Sequence, residues 1–257
     1  MTTLILALVL TTSDVPPGYI NHLQNNPYQA DAVFFAGNLV FGCLVGGLGS
    51  VYNDGTFSRG CKLGIEGGTV AFSSQWLAAR SADHPGVGAL AHLLANIGNS
   101  ITQAGLEARD FDSVYFDFGP MGITLGKLHN QSRLSFSLVS LYGLWDARRT
   151  GVIDWAKTLD NLTPVYRNKG LDEDEWSGTT IANVVSYSPY FYRYDHRVIS
   201  HEMVHVAQWS LFQPFNQVHL GPWNMGQDVA DILASLSEYA YYRNPCEIEA
   251  YSLAQGK

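Results

Sequence analysis

Residues 32–51 carry no charged side chain. A run of about 20 apolar residues is what a helix needs to cross a bilayer. The glycines in this run, together with Asn38, weigh against a simple span. They favour a helix whose backbone lies close against another, because small residues let two helix axes approach. The next segment has the same character: Gly60, Gly64 and Gly67-Gly68 recur at near-helical spacing, ahead of an apolar stretch that ends near Ala79. It also holds Lys62 and Glu66, which makes it a poor solitary span. A third helix is expected over residues 86–104, through Leu90, Leu93, Leu94 and Ile97. Two readings stay open for these three segments. One is a membrane-inserted or membrane-apposed hairpin, and the other a bundle of soluble helices packed through glycine.

Composition sharpens the question of what covers the surface. Only 15% of the 257 residues are charged, against about 25% in an ordinary soluble domain. The surface is therefore either buried against a partner or lipid, or covered by neutral polar and aromatic groups. The formal net charge is −8 and no basic block occurs. Nucleic-acid binding is excluded on that ground, since phosphate contact requires a basic face. The three cysteines, Cys43, Cys61 and Cys246, cannot all pair within the chain, and none forms a C-x-x-C motif. A Cys43–Cys61 bridge is compatible with the sequence but is not dictated by it. Residues 4–10 are apolar and too short to span, so they read either as the core of an export signal or as a buried element. Residues 13–30 read as loop.

After Gly105 the pattern becomes strand-like. Residues 114–118 and 123–125 flank a Gly119-Pro120-Met121-Gly122 turn, the arrangement of a hairpin. Over residues 133–141, Leu134, Phe136 and Leu138 alternate with Ser135, Ser137 and Val139, which predicts a strand with one face on a core. Residues 163–167 and 180–187 are expected as further strands, with Pro164 placing the first at an edge or a strand start. The acidic residues 172–175 read as a solvated loop. They lack the glycine turn of a calcium loop. A helix should begin near Asp195 as N-cap and end by Pro214. A second is expected over residues 226–242. Asn244 as cap and Pro245 at the first helical position should then restart the chain, and a short last helix should hold residues 247–254. The expected class is α+β: a glycine-rich helical N-terminal part, a small β-sheet in the middle, and C-terminal helices. In domain terms, residues 1–30 form a leader-like segment and loop, residues 31–106 the glycine-rich region, and residues 107–257 an α+β domain.

The chemistry gathers in the C-terminal helices. His201-Glu202-Met203-Val204-His205 places two histidines four apart, on one face of a helix and about 5–6 Å apart at Cβ. That spacing lets both imidazoles reach one ion. Zinc takes such nitrogen ligands, and catalytic zinc sites keep one position open for water. Glu202 is rotated away from the pair, toward the rim of the site, where it suits a general base.

The bland alternative for His201 and His205 is a pair of buried, hydrogen-bonded histidines. Gln208, three residues after His205, is placed to orient a neighbour. The aromatic run Tyr187, Tyr190, Tyr192 and Tyr194 reads first as packing and second as a cleft wall. His196 and His219 are weaker candidates. No serine elbow of the G-x-S-x-G type occurs. The nearest approach to a phosphate loop, Gly122 to Lys127, has the wrong spacing.

With Glu247-Ile248-Glu249-Ala250-Tyr251 downstream, the segment over about residues 195–254 resembles the gluzincin-type zinc metallopeptidases. That resemblance implies that a glutamate on the later helix completes the site, Glu247 by position. Glu249 remains the alternative ligand, and a helix-capping role is the structural alternative for Glu247. Tyr251 stands where the family usually has Asp or Asn, which normally bonds a ligand histidine. A tyrosine hydroxyl there would replace that bond in part or stabilise an oxyanion.

The functional expectation is a zinc-dependent peptidase acting on a peptide or protein substrate. Zn2+ would be held by His201, His205 and Glu247, with Glu202 as base and Tyr251 in support. The alternative is a catalytically inactive metal-containing scaffold or assembly subunit of a membrane-associated complex. In either case residues 32–104 offer contact to a membrane or protein partner, and the chain is expected to be membrane-associated or exported.

Overall fold

Glycine sets how the first two helices meet. Helix α1 (Pro27–Tyr52) and helix α2 (Phe57–Ala78) cross along Gly42 and Gly46 on one side and Gly60, Gly64 and Gly68 on the other. A Cβ built on Gly64 would stand 1.8 Å from the Gly42 carbonyl oxygen, and one on Gly46 would stand 2.2 Å from that of Gly60. No other residue type leaves room for this crossing. The Cys43–Cys61 disulfide bridges the same seam. Helix α3 (Val87–Leu106) packs on the other side of α2, where Gly67 and Ala71 meet Gly98 and Thr102. Within α1, the stretch Asp31–Tyr52 is long and apolar enough to cross a membrane, and only 33% of its most apolar window is buried within the fold.

The computed structural model describes residues 27–81, 84–126, 133–168, 178–188, 195–210, 219–220, 223–224, 249–250 and 253–254. The class is α+β. After the three helices come β1 (Ser113–Phe118), β2 (Met121–Gly126), β3 (Arg133–Phe136), α4 (Leu138–Thr150), β4 (Gly151–Ile153) and α5 (Trp155–Asn161). Then follow β5 (Val165–Asn168), β6 (Gly178–Ile181), β7 (Val184–Tyr187), α6 (Asp195–Ser210), β8 (His219–Leu220) and β9 (Trp223–Asn224). Residues 249–250 and 253–254 are helical. The strands form two sheets, one of order β1-β2-β3-β9-β8 and one of order β4-β5-β7-β6.

Helix α6 lies between the α2–α3 layer and the second sheet. The main core joins Ala78, Ala91 and Ala95 of the N-terminal helices to Val165, Val185 and Tyr187 of the sheet and to Ile199, Met203 and Val206 of α6. Ala250 and Leu253 belong to the same core.

Several elements differ from the sequence expectation. The expected loop over residues 13–30 gives way at Pro27 to α1, consistent with proline's preference for a first helical turn. Asp195 is the first helical residue rather than the cap. The strand expected over residues 133–141 stops at Phe136, because Ser137 accepts a hydrogen bond from the Ser140 amide and caps α4 instead. Its alternation is real, and the face on the core is the one that carries Ser135: Leu134 is 55% exposed and Ser135 only 3%.

The same orientation runs across the sheet. Phe118, Met121, Ile123 and Leu125 lie exposed beside Leu134, while Asp117 and Ser135 face inward. Part of the low charge content is thus explained by apolar and aromatic side chains held at the surface. The single strand expected over residues 180–187 is a hairpin, β6 and β7, turning at Ala182-Asn183 with Ala182 at φ 57°. Strand β5 is interior to its sheet, and Pro164 immediately precedes it. The expected helix over residues 226–242 and the acidic loop at 172–175 lie outside the described residues.

Candidate metal centre

The inward polar face of β1 anchors the scaffold. The Asp117 carboxylate receives His92 Nε2 at 2.7 Å, Asn96 Nδ2 at 3.0 Å and Asn183 Nδ2 at 2.7 Å. This one buried carboxylate therefore ties α3, the first sheet and the β6–β7 turn together. Burial by itself would raise the Asp117 pKa, but the His92 charge and the three hydrogen bonds prevail and hold it below the usual carboxylate value.

On α6, the stripe Ile199, Met203 and Val206 enters the core. That orientation places His201, His205 and Gln208, spaced four and three apart, along a neighbouring face. The Nε2 atoms of His201 and His205 stand 3.0 Å apart, with the rings at 82°. Two imidazole nitrogens bound to one tetrahedral zinc at about 2.0–2.1 Å would be about 3.3–3.4 Å apart. The pair thus stands a few tenths of an ångström short of the spacing in a zinc chelate. His201 is buried, 7% exposed.

Gln208 Oε1 lies 2.8 Å from His205 Nδ1. A carbonyl oxygen only accepts, so Nδ1 carries a proton, and in the neutral imidazole the Nε2 lone pair faces His201. Gln208 Nε2 in turn donates to Glu249 Oε2 at 2.9 Å. Glu249 Oε1 receives Asn38 Nδ2 at 3.4 Å, and the same Asn38 amide reaches Gln75 Oε1 at 3.1 Å. Burial pushes Glu249 up to about 7, against the hydrogen bonds from Gln208 and Asn38 and the charge of His205.

Both carboxylate oxygens of Glu249 are thus engaged by amides. Among the described residues, no three His, Cys, Asp or Glu side chains converge on one point. Glu247 and Tyr251, like Tyr190, Tyr192 and Tyr194, lie outside the described residues.

Glu202 is buried, 4% exposed, and turned toward β6 as its rotation from the histidine face requires. Thr180 Oγ1 donates to its Oε2 at 2.7 Å. Gly178 makes room for the carboxylate: a Cβ there would lie 2.6 Å from Glu202 Oε1. Among the described strands, β6 is at the end of its sheet. Sequence reasoning missed Thr180, Gly178 and Asn38. Threonine in a strand is ordinary, and Asn38 stood out only as a polar residue in an apolar run. Gln208 was identified from its spacing alone. Tyr187 is buried in the core, with its hydroxyl donating to Asp154 Oδ2 at 2.8 Å, and so belongs to packing.

No protein-family model, curated protein or solved structure matches this chain.

Proposed function

We propose that this chain is a zinc-dependent hydrolase of the gluzincin type that cleaves peptide bonds. The observation that carries the reading is the facing Nε2 pair of His201 and His205, with the His205 tautomer held by Gln208. His201, His205 and Glu247 would hold Zn2+, with Tyr251 supporting the site. When bound, zinc would polarise a substrate carbonyl and make a water more acidic.

Glu202 takes a proton from the attacking water and delivers it to the leaving amine as the C–O bond forms and the C–N bond breaks. The Thr180 hydroxyl holds one oxygen of Glu202 and leaves the other for that proton. An extended peptide can add to the outer edge of β6 through main-chain hydrogen bonds, beside Glu202. The Cys43–Cys61 bridge and the apolar α1 favour an exported or membrane-associated protein, since disulfides persist in oxidising compartments.

Elemental analysis of wild type beside His201→Ala and Glu247→Ala tests the ligand set. One zinc per chain in wild type, lost in both variants, supports it; a wild type that takes up no zinc defeats it. Glu202→Gln should then keep the metal and lose peptide cleavage.

The exposed apolar face of the first sheet favours a second reading, a metal-containing assembly subunit that does not turn over substrate. Under it, His201→Ala abolishes assembly while Glu202→Gln is silent.

A further inference from the structure

Resting on that zinc reading, we infer that Gln208 and Glu249 are positioning residues that together fix His205 in the tautomer and orientation a metal ligand needs. A glutamine amide can face either way, offering oxygen or NH2 to a neighbour. Here one side of the Gln208 amide meets His205 Nδ1 at 2.8 Å and the other meets Glu249 Oε2 at 2.9 Å. An ionised carboxylate only accepts hydrogen bonds, so Glu249 in that form draws the NH2 group to its own side and turns Gln208 Oε1 toward the imidazole. That oxygen accepts only from Nδ1–H, and His205 is left with its Nε2 lone pair toward His201.

Glu249 is held in turn by Asn38 of α1, which also bonds Gln75 of α2 and the Phe34 carbonyl oxygen at 2.9 Å. The glycine-packed helices thus reach the metal helix by an uninterrupted series of polar contacts. Supports of this kind set both the orientation and the basicity of a ligand imidazole.

The polarity of the relay supplies its own test. Glu249→Gln places a second amide against Gln208 and removes the preference that turns Oε1 toward His205. The exchange Gln208→Glu with Glu249→Gln restores it. A carboxylate at 208 accepts from His205 Nδ1–H and from the amide now at 249, whose oxygen still accepts from Asn38.

Zinc affinity would be measured by chelator competition on the full chain, with the absorption spectrum of the cobalt-loaded protein and circular dichroism beside it. Gln208→Ala and Glu249→Gln should each bind zinc about 10–100-fold more weakly than wild type, with an altered cobalt spectrum. The double exchange should return to within about threefold of wild type, a coupling that general destabilisation would not produce. Single variants that are folded and bind as wild type does overturn the inference and leave the metal site standing. So does a double exchange no better than the weaker single. A wild type that binds no zinc overturns the site and the inference together.

Discussion

Glu202 Oε2 lies 2.7 Å from Thr180 Oγ1, so the carboxylate that follows the first histidine is anchored to an end strand of the sheet. The hydroxyl bond selects one orientation of a buried acid. Thr180→Val keeps the shape and removes the donor. Zinc content should be unchanged. Turnover of a peptide substrate should fall by about tenfold or more, since a hydrogen bond to a charged group contributes about 1.5–3 kcal/mol. Undiminished turnover would remove Thr180 from the mechanism.

The glycine seam predicts opposite signs for one substitution at two positions. Gly64→Ala drives a methyl group into the Gly42 carbonyl and should cost about 1–3 kcal/mol or more in chemical denaturation. Gly37→Ala meets nothing within 4 Å and should be neutral or stabilising by up to about 1 kcal/mol, because alanine restricts the unfolded helix segment. Equal effects at both sites would show that the close crossing is absent.

Asp117 predicts the direction of an acid sensitivity. Its folded pKa lies below the ordinary 3.8, so its contribution is present above that value and is lost as pH falls from there toward the folded pKa. Urea unfolding at pH 7 and pH 3 should show wild type losing more stability than Asp117→Asn across that interval. At pH 7 the variant should be weaker by about 1–3 kcal/mol for each buried partner left unsatisfied. A variant with the same acid loss as wild type would assign the sensitivity elsewhere.

Of the three cysteines, the bridge occupies Cys43 and Cys61 and leaves Cys246 outside it. Thiol titration of the denatured, unreduced chain should give one reactive group, rising to three after reduction. Reduction should also lower the melting temperature. Closing a loop between cysteines 18 apart contributes about 3 kcal/mol in the chain-entropy description. Three thiols before reduction would exclude the bridge.

Only local features were legible in the order of residues. The order of the first three helices, the glycine faces along them, the hairpin of β1 and β2, and the i, i+4 pairing of His201 with His205 follow from periodicity. Each depends only on which side chains a helix or strand turns to the same side. Gln208 belongs with them, at one further turn.

Tertiary structure decided which of those faces would meet. Ser135 of β3 turned inward, a choice that alternation alone leaves open, because the inner layer is held by the polar contacts of Asp117, His92, Asn96 and Asn183. Thr180 and Gly178 joined Glu202 because β6 runs beside α6. Asn38 reached Glu249 across 211 positions of chain. A contact at that separation leaves no mark on local spacing. It forms only when the glycine seam sets the height of α1 on α2 and the shared core holds Ala250, beside Glu249, against the α2–α3 layer.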